Sequence, residues 1–135
     1  MPVFTVDAPL GATQDAKQKM MKEITEALHE AWPIPDTRGW LREYQAGSVS
    51  QDGHIGAEPV RPVCTLEAPE LTNLDSKRNL VQKIESAMAT AYDGIANTEE
   101  VLVLLNHYPL ENVGWQQSLQ SDKPEIVEAI AQLNR

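Results

Sequence analysis

Positive charge, aromatic residues and cysteine are all scarce in this chain. Eleven Lys and Arg stand against 20 Asp and Glu, a formal net charge of −9 over 135 residues. That balance leaves no excess of cations to neutralise phosphates, so nucleic acid is not an expected partner. It equally leaves none to hold an anionic membrane surface. The single cysteine, Cys64, excludes an intramolecular disulfide and fits a reducing compartment. No apolar run approaches the roughly 20 residues of a membrane-spanning helix, and no basic stretch leads into an apolar one at the amino terminus. His29, His54 and His107 lack the spacing of metal ligands, and no Gly-rich phosphate or dinucleotide fingerprint is present. The expectation is a soluble, cytoplasmic, acidic domain spanning residues 1–135, with no metal and no cofactor.

What the chain does have is an internal repeat. Shifted by 60 residues, the segment beginning at Pro2 lies on the segment beginning at Pro62 without a gap. Pro2/Pro62, Val3/Val63, Thr5/Thr65, Ala8/Ala68, Pro9/Pro69, Asp15/Asp75, Ile24/Ile84 and Ala27/Ala87 are identical, and Asp7/Glu67 and Trp32/Tyr92 are conservative pairs. Two unrelated helices can share an apolar period, but not also a shared Ala-Pro loop and matched polar positions. The expected organisation is a first unit over 2–58, a second over 62–116 and a tail over 117–135.

Each unit opens on a β-rich run, Val3-Phe4-Thr5-Val6 or Val63-Cys64-Thr65-Leu66, ended by Pro9 or Pro69. An amphipathic helix follows. Met20, Ile24, Ala27, Leu28 and Ala31 recur at helical spacing, and Leu80, Ile84, Ala87, Met88 and Ala91 copy them. Thr13 and Asn73 are the expected N-caps, Pro33 and Gly94 the stops. A second strand closes each unit, near Arg38 to Gln45 and again over Val101 to Leu105. The latter is so continuously apolar that it reads as covered on both faces. Gly47–Gly56 reads as a loop or hairpin and Asn112–Lys123 as a loop, and Pro124 opens a short helix. The fold class is therefore α/β (α+β), a tandem βαβ-βαβ with a four-stranded mixed sheet and two helices on one face. The other face has no cover within the chain, which predicts an oligomer.

The position with most chemical promise is Pro2. An initiator methionine is normally removed before proline, which would expose a secondary amine fixed at the end of a strand. A desolvating pocket lowers such an amine toward neutrality, where it serves as a general base or a nucleophile. Pro62 occupies the repeated position but is acylated by Arg61, so it has no basic nitrogen.

Met1-Pro2 opening a strand, a βαβ unit of about 60 residues, its duplication, and the stretch Asp36-Thr37-Arg38-Gly39-Trp40-Leu41-Arg42-Glu43-Tyr44 together resemble the tautomerase superfamily. This is the family of 4-oxalocrotonate tautomerase, macrophage migration inhibitory factor (MIF), malonate semialdehyde decarboxylase and cis-3-chloroacrylic acid dehalogenase. The resemblance covers nearly the whole chain. It implies a MIF-like fold, a homotrimer, and Pro2 as the general base or acid in keto-enol proton transfer on a small carbonyl or enol acid. Dehalogenation, hydration or decarboxylation of a three-carbon acid is the same-scaffold alternative, and a non-catalytic trimeric binding or assembly protein is the other. By resemblance Arg38 is a carboxylate clamp, suited by its planar fork, and Glu43 matches a glutamate common in the second strand.

The chain also departs from that pattern. Ala12 and Thr72 stand where many members carry an arginine, and Glu67-Ala68-Pro69-Glu70 is acidic where others are basic. Arg42 and Arg61 are the remaining cationic candidates for substrate binding, with His107, Tyr108 and Trp115 as candidate pocket residues. His29 lies close to a histidine of the dehalogenases but one residue out of register. Asp36 resembles the decarboxylase aspartate in neighbourhood, though Asp-Thr before a strand is an ordinary turn signal.

Overall fold

The computed structural model describes residues 1–56 and 58–135. The expected boundary of the first unit at residue 58 thus adjoins Ala57, which lies outside the described residues. β1 (Val3–Pro9), α1 (Gln14–Ala31) and β2 (Arg38–Tyr44) form the first unit. A small hairpin, β3 (Ser50–Gln51) and β4 (His54–Ile55), follows it. β5 (Val63–Pro69), α2 (Leu74–Ala91) and β6 (Leu102–Tyr108) repeat the unit, followed by the hairpin β7 (Gly114–Trp115) and β8 (Ser118–Leu119). α3 (Pro124–Leu133) ends the chain.

The helices begin where the polar side chains dictate. Thr13 Oγ1 accepts from the Ala16 N–H at 3.1 Å, and Asn73 Oδ1 from the Ser76 N–H at 3.0 Å. Each therefore satisfies a donor that the first helical turn leaves unpaired. Asp15 and Asp75 sit in those first turns, where the helix dipole favours negative charge. The apolar stripes Met20, Ile24, Leu28 and Leu80, Ile84, Met88 are buried, as the spacing predicts.

The four-stranded sheet has the order β2-β1-β5-β6. β1/β2 and β5/β6 are parallel, whereas β1 and β5 are antiparallel with Thr5 opposite Thr65. Pairing the repeats in this way relates them by an approximate two-fold axis through that residue pair. Phe4, Val6, Ala8 and Cys64, Leu66, Ala68 alternate onto the helix-covered face and are buried there. Trp32 is fully buried, its indole Nε1–H donating to the Pro69 carbonyl at 3.0 Å, and Tyr92 is its fully buried counterpart.

Two expectations are corrected. β6 is covered on one face only: it is an edge strand whose Leu102 and Leu104 are exposed on the open face, with Trp40 of β2 on the same face. Its apolar run reflects that bare face, not a second layer of helix. The 112–123 segment is also more than a loop, since β7 and β8 pair within it and repeat the hairpin β3–β4. From the second strands onward the repeats are related by a shift of 64, because the connection after α2 is longer and contains a turn at Gly94 (φ 76°).

Close packing between β2 and α1 fixes one glycine. A Cβ on Gly39 would meet the Phe4 ring at 2.7 Å (Cε1), and closer still at Cζ, with Met21 Cε at 2.8 Å. Gly39→Ala is therefore expected to destabilise the protein by about 1–3 kcal/mol through overpacking. Gly47, with open space around it, serves as the control. Urea denaturation of the two alanine variants checks this: equal midpoints would contradict the packing argument.

Candidate functional site

The antiparallel pairing of β1 with β5 brings the start of the first repeat beside the end of the second. Val3 lies opposite Glu67, and β6 runs alongside with Pro69 beside Tyr108. Met1 and Pro2 are thus buried at the junction of both repeats, not on a loose terminus. The Arg38 N–H donates to the Pro2 carbonyl at 3.0 Å, and the Tyr108 hydroxyl donates to the Met1 carbonyl at 2.7 Å.

A cleft of about 210 Å³ opens here, lined by Met1, Val3, Asp36, Arg38, Tyr108, Val113, Gly114 and Trp115. Trp115 is carried by the second hairpin, and the Lys123 ammonium lies 5.0 Å from its ring centroid, a cation–π contact. Arg38 and Asp36 face each other across the cleft wall, Nε to Oδ2 at 2.9 Å, and Asp36 takes a left-handed backbone (φ 67°). Burial lowers the Met1 amine to about 6, against the opposing pull of the Asp36 carboxylate. Burial, with Glu67 and Asp36 nearby, pushes the Tyr108 hydroxyl up to about 12. An amine at this place is held toward its neutral form and the phenol beside it stays a donor.

Of the residues singled out in the sequence, Arg38, Tyr108 and Trp115 line this cleft, and Pro2 lies buried between Met1 and Val3, which line it too. Arg42 and Arg61 do not join them within the chain. They line a different cavity of about 310 Å³, at the far end of β1. The reason is geometric: Arg42 pairs in register with Asp7, four residues along β1 from Val3, and Arg61 precedes the start of β5, which lies at that end.

His107 and Glu43 are likewise placed elsewhere. Each pairs with a buried alanine, Ala68 or Ala8, so strand alternation turns it to the helix side. The His107 ring packs edge-on against Trp32 at 6.4 Å, and Glu43 accepts from the Lys17 ammonium at 2.6 Å. His29 is exposed in the last turn of α1, where a positive charge suits the helix dipole. Cys64 is buried and its thiol is pushed up to about 12 by burial, so it offers no reactive thiolate. No group of three or more metal-binding side chains occurs among the described residues.

Sequence reasoning missed two participants. Lys123 gave no signal at all. Asp7 did, because Asp7/Glu67 is a repeat-conserved acidic pair. Asp7 accepts from Arg42 and Tyr44, and Glu67 accepts from Asn106 at 3.2 Å, so each acid is tied to the parallel partner of its own strand.

No family model and no curated protein matches the chain. Solved structures do. A fused 4-OT described as a wild-type symmetric trimer matches with a TM-score of 0.74 at 22% identity, over 87% of this chain and 94% of that one. Malonate semialdehyde decarboxylase, described with decarboxylase and hydratase activities, matches at 0.67 and 14% identity, over 93% and 96%. Macrophage migration inhibitory factor from Toxoplasma gondii matches at 0.65 and 9% identity, over 87% and 98%. The chain has the fold these proteins share, a mixed four-stranded sheet backed by two helices.

The tyrosines give a direct check on the electrostatics. All three are raised: Tyr92 and Tyr108 to about 12, chiefly by burial, and Tyr44 upward through its hydrogen bond to Asp7. The unfolded chain releases its phenolic protons near pH 10. Between about 10 and 12 the unfolded state therefore binds fewer protons than the folded one, and stability falls as pH rises through that window. Absorbance titration at tyrosinate wavelengths should show a midpoint well above that of the urea-unfolded chain; coincident curves would refute the burial of Tyr92 and Tyr108.

Proposed function

We propose that this chain is an enzyme of the tautomerase superfamily in which two repeats are fused. Its Pro2 amine, freed by removal of Met1, moves a proton between oxygen and carbon of a small carbonyl or enol acid. One observation carries the reading: the Tyr108 hydroxyl donates at 2.7 Å to the Met1 carbonyl, inside a cleft where burial lowers the Met1 amine to about 6. Removal of Met1 takes away that carbonyl and leaves a part-buried donor near the Pro2 nitrogen. The space vacated by Met1 enlarges the cleft.

In the chemical step the Pro2 nitrogen takes the proton of an enol hydroxyl as the carbonyl forms. The same nitrogen then delivers that proton to the adjacent carbon and returns to its neutral state. Tyr108, kept protonated by burial, donates a hydrogen bond to the oxygen on which negative charge develops. Arg38 is the carboxylate clamp, although it shares its guanidinium with Asp36. With Asp36 lining the cleft and Glu67 opposite Val3, a monoacid suits the cleft better than a dicarboxylate. The likeness to malonate semialdehyde decarboxylase keeps decarboxylation or hydration of a three-carbon acid as the alternative reaction.

A different reading draws on the burial of Met1, which is 4% exposed and forms part of the cleft wall. If that residue is retained it plugs the site, and the chain is a binding or assembly protein on the same scaffold. Intact mass spectrometry separates the two: a protein lacking Met1 is expected, and a retained Met1 would end every mechanism that uses the Pro2 amine. With Met1 absent, Pro2→Ala should lower kcat/KM for the monoacid phenylpyruvate by roughly a hundredfold or more. The acid limb of the wild-type kcat/KM profile should fall below the ordinary α-amine value of about 8, because burial disfavours the charged amine and activity needs the neutral one. Equal rates in the two proteins would remove Pro2 from the chemistry.

The open sheet face supports a homotrimer. Trp40, Leu104 and Leu102 are 63%, 45% and 51% exposed there, an apolar surface that a single chain leaves wet. Light scattering should give three times the 15.0 kDa of one chain, and Trp40→Asp should shift the mass toward the monomer. A monomeric wild type would overturn the assignment.

A further inference from the structure

The two-fold relation of the repeats places a counterpart of the Pro2 cleft at the other end of β1. Val63 stands for Val3, Arg61 for Met1, Tyr44 for Tyr108 and Val49 for Val113. This second cavity is the larger, about 310 Å³ against about 210 Å³. The repeated proline here, Pro62, is an internal imide with no basic nitrogen. The cavity can therefore bind but cannot perform the amine's proton transfer.

Its chemistry differs from the first cleft in one decisive position. Arg42 occupies the place of Asn106, so a guanidinium replaces an amide on the open face. Arg42 donates Nε to Asp7 Oδ1 at 2.8 Å and Nη2 to Asp7 Oδ2 at 3.0 Å, while the Tyr44 hydroxyl donates to Oδ1 at 2.9 Å. Three donors occupy the Asp7 carboxylate and fix the plane of the guanidinium. Arg42 Nη1 makes no hydrogen bond among the described residues, and its donors remain available for an incoming acceptor. Arg61 adds positive charge to the wall but is engaged by Glu58 and, at 3.6 Å, by Glu100. The remaining wall is apolar, from Val49, Val60 and Val63. A held guanidinium edge above an apolar floor fits a small carboxylate that carries an apolar body.

We propose that this cavity is a second, non-catalytic ligand site that takes a small apolar monocarboxylate, its carboxylate on Arg42 and its body against the three valines. The site is independent of Met1 removal and of any activity at Pro2. The charged groups that face it are Arg42, Arg61 and Asp7 from the lining, with Glu58 and Glu100 behind Arg61.

Methyl NMR of the full chain with labelled valine tests the proposal, with benzoate as probe and benzamide as its neutral counterpart. Saturable shifts of the Val49, Val60 and Val63 methyls are expected, with a Kd on the order of millimolar for so small a probe. Benzamide should bind at least about tenfold more weakly, since it cannot form the charge-assisted bond. Arg42→Met should weaken benzoate by a similar factor and leave benzamide unchanged. Unmoved valine methyls, or equal affinity for benzoate and benzamide in the wild type, would overturn the proposal. The wild-type comparison stands even if the variant fails to fold. An inactive Pro2 with intact benzoate binding would refute the proposed reaction and leave this site standing.

Discussion

Everything that distinguishes the two ends of this molecule follows from the antiparallel pairing of β1 with β5. Parallel pairing of the two central strands would put both strand starts, and hence both repeated prolines, at one end of the sheet. Antiparallel pairing sends them to opposite ends. Each strand start then lies beside the finish of the other unit's strands, and each cleft is built from both repeats. Neither unit can form its cleft alone: Tyr108 and Trp115 from the second repeat meet Met1 and Arg38 from the first.

The same pairing converts a nearly symmetric backbone into two unlike chemical environments with few substitutions. One end has a buried amine, a phenol that keeps its proton, and acids at Asp36 and Glu67. The other has an acid bound by three donors and two guanidinium groups. Each end carries two cations, Arg38 and Lys123 at the first and Arg42 and Arg61 at the second, but only the first has an amine among them.

Much of this was legible in the sequence because local physics and repetition agreed. The caps Thr13 and Asn73, the stripes of α1 and α2, and the alternation of β1 and β5 all recur after 60 residues, and each recurrence confirms the other. What was not legible was relative placement. That Arg38 and Arg42 belong to different cavities depends on which strands are neighbours and in which direction, and no local pattern encodes that. His107 is a different case. Alternation from Tyr108 would have turned it to the helix side, but following the final strand by residue type concealed its side. The longer connection after α2 hid the match of Tyr44 with Tyr108, which a second comparison at a shift of 64 would have exposed. The apolar run of β6 misled because a sheet face that the chain leaves uncovered and a face buried under a helix can carry the same residues.

The buried amino terminus has a practical side. Met1 is packed against the cleft wall with its carbonyl held by Tyr108, while at the other end Asn134 clamps the last turn of α3 to the loop at Glu70 and Thr72 and leaves Arg135 exposed. A purification tag fused ahead of Met1 would have to thread through the cleft and would keep Pro2 acylated. The protein so produced would be an altered one, folded on the same scaffold but with its amine blocked and its smaller cavity obstructed. An extension after Arg135 would leave both ends of β1 as they are.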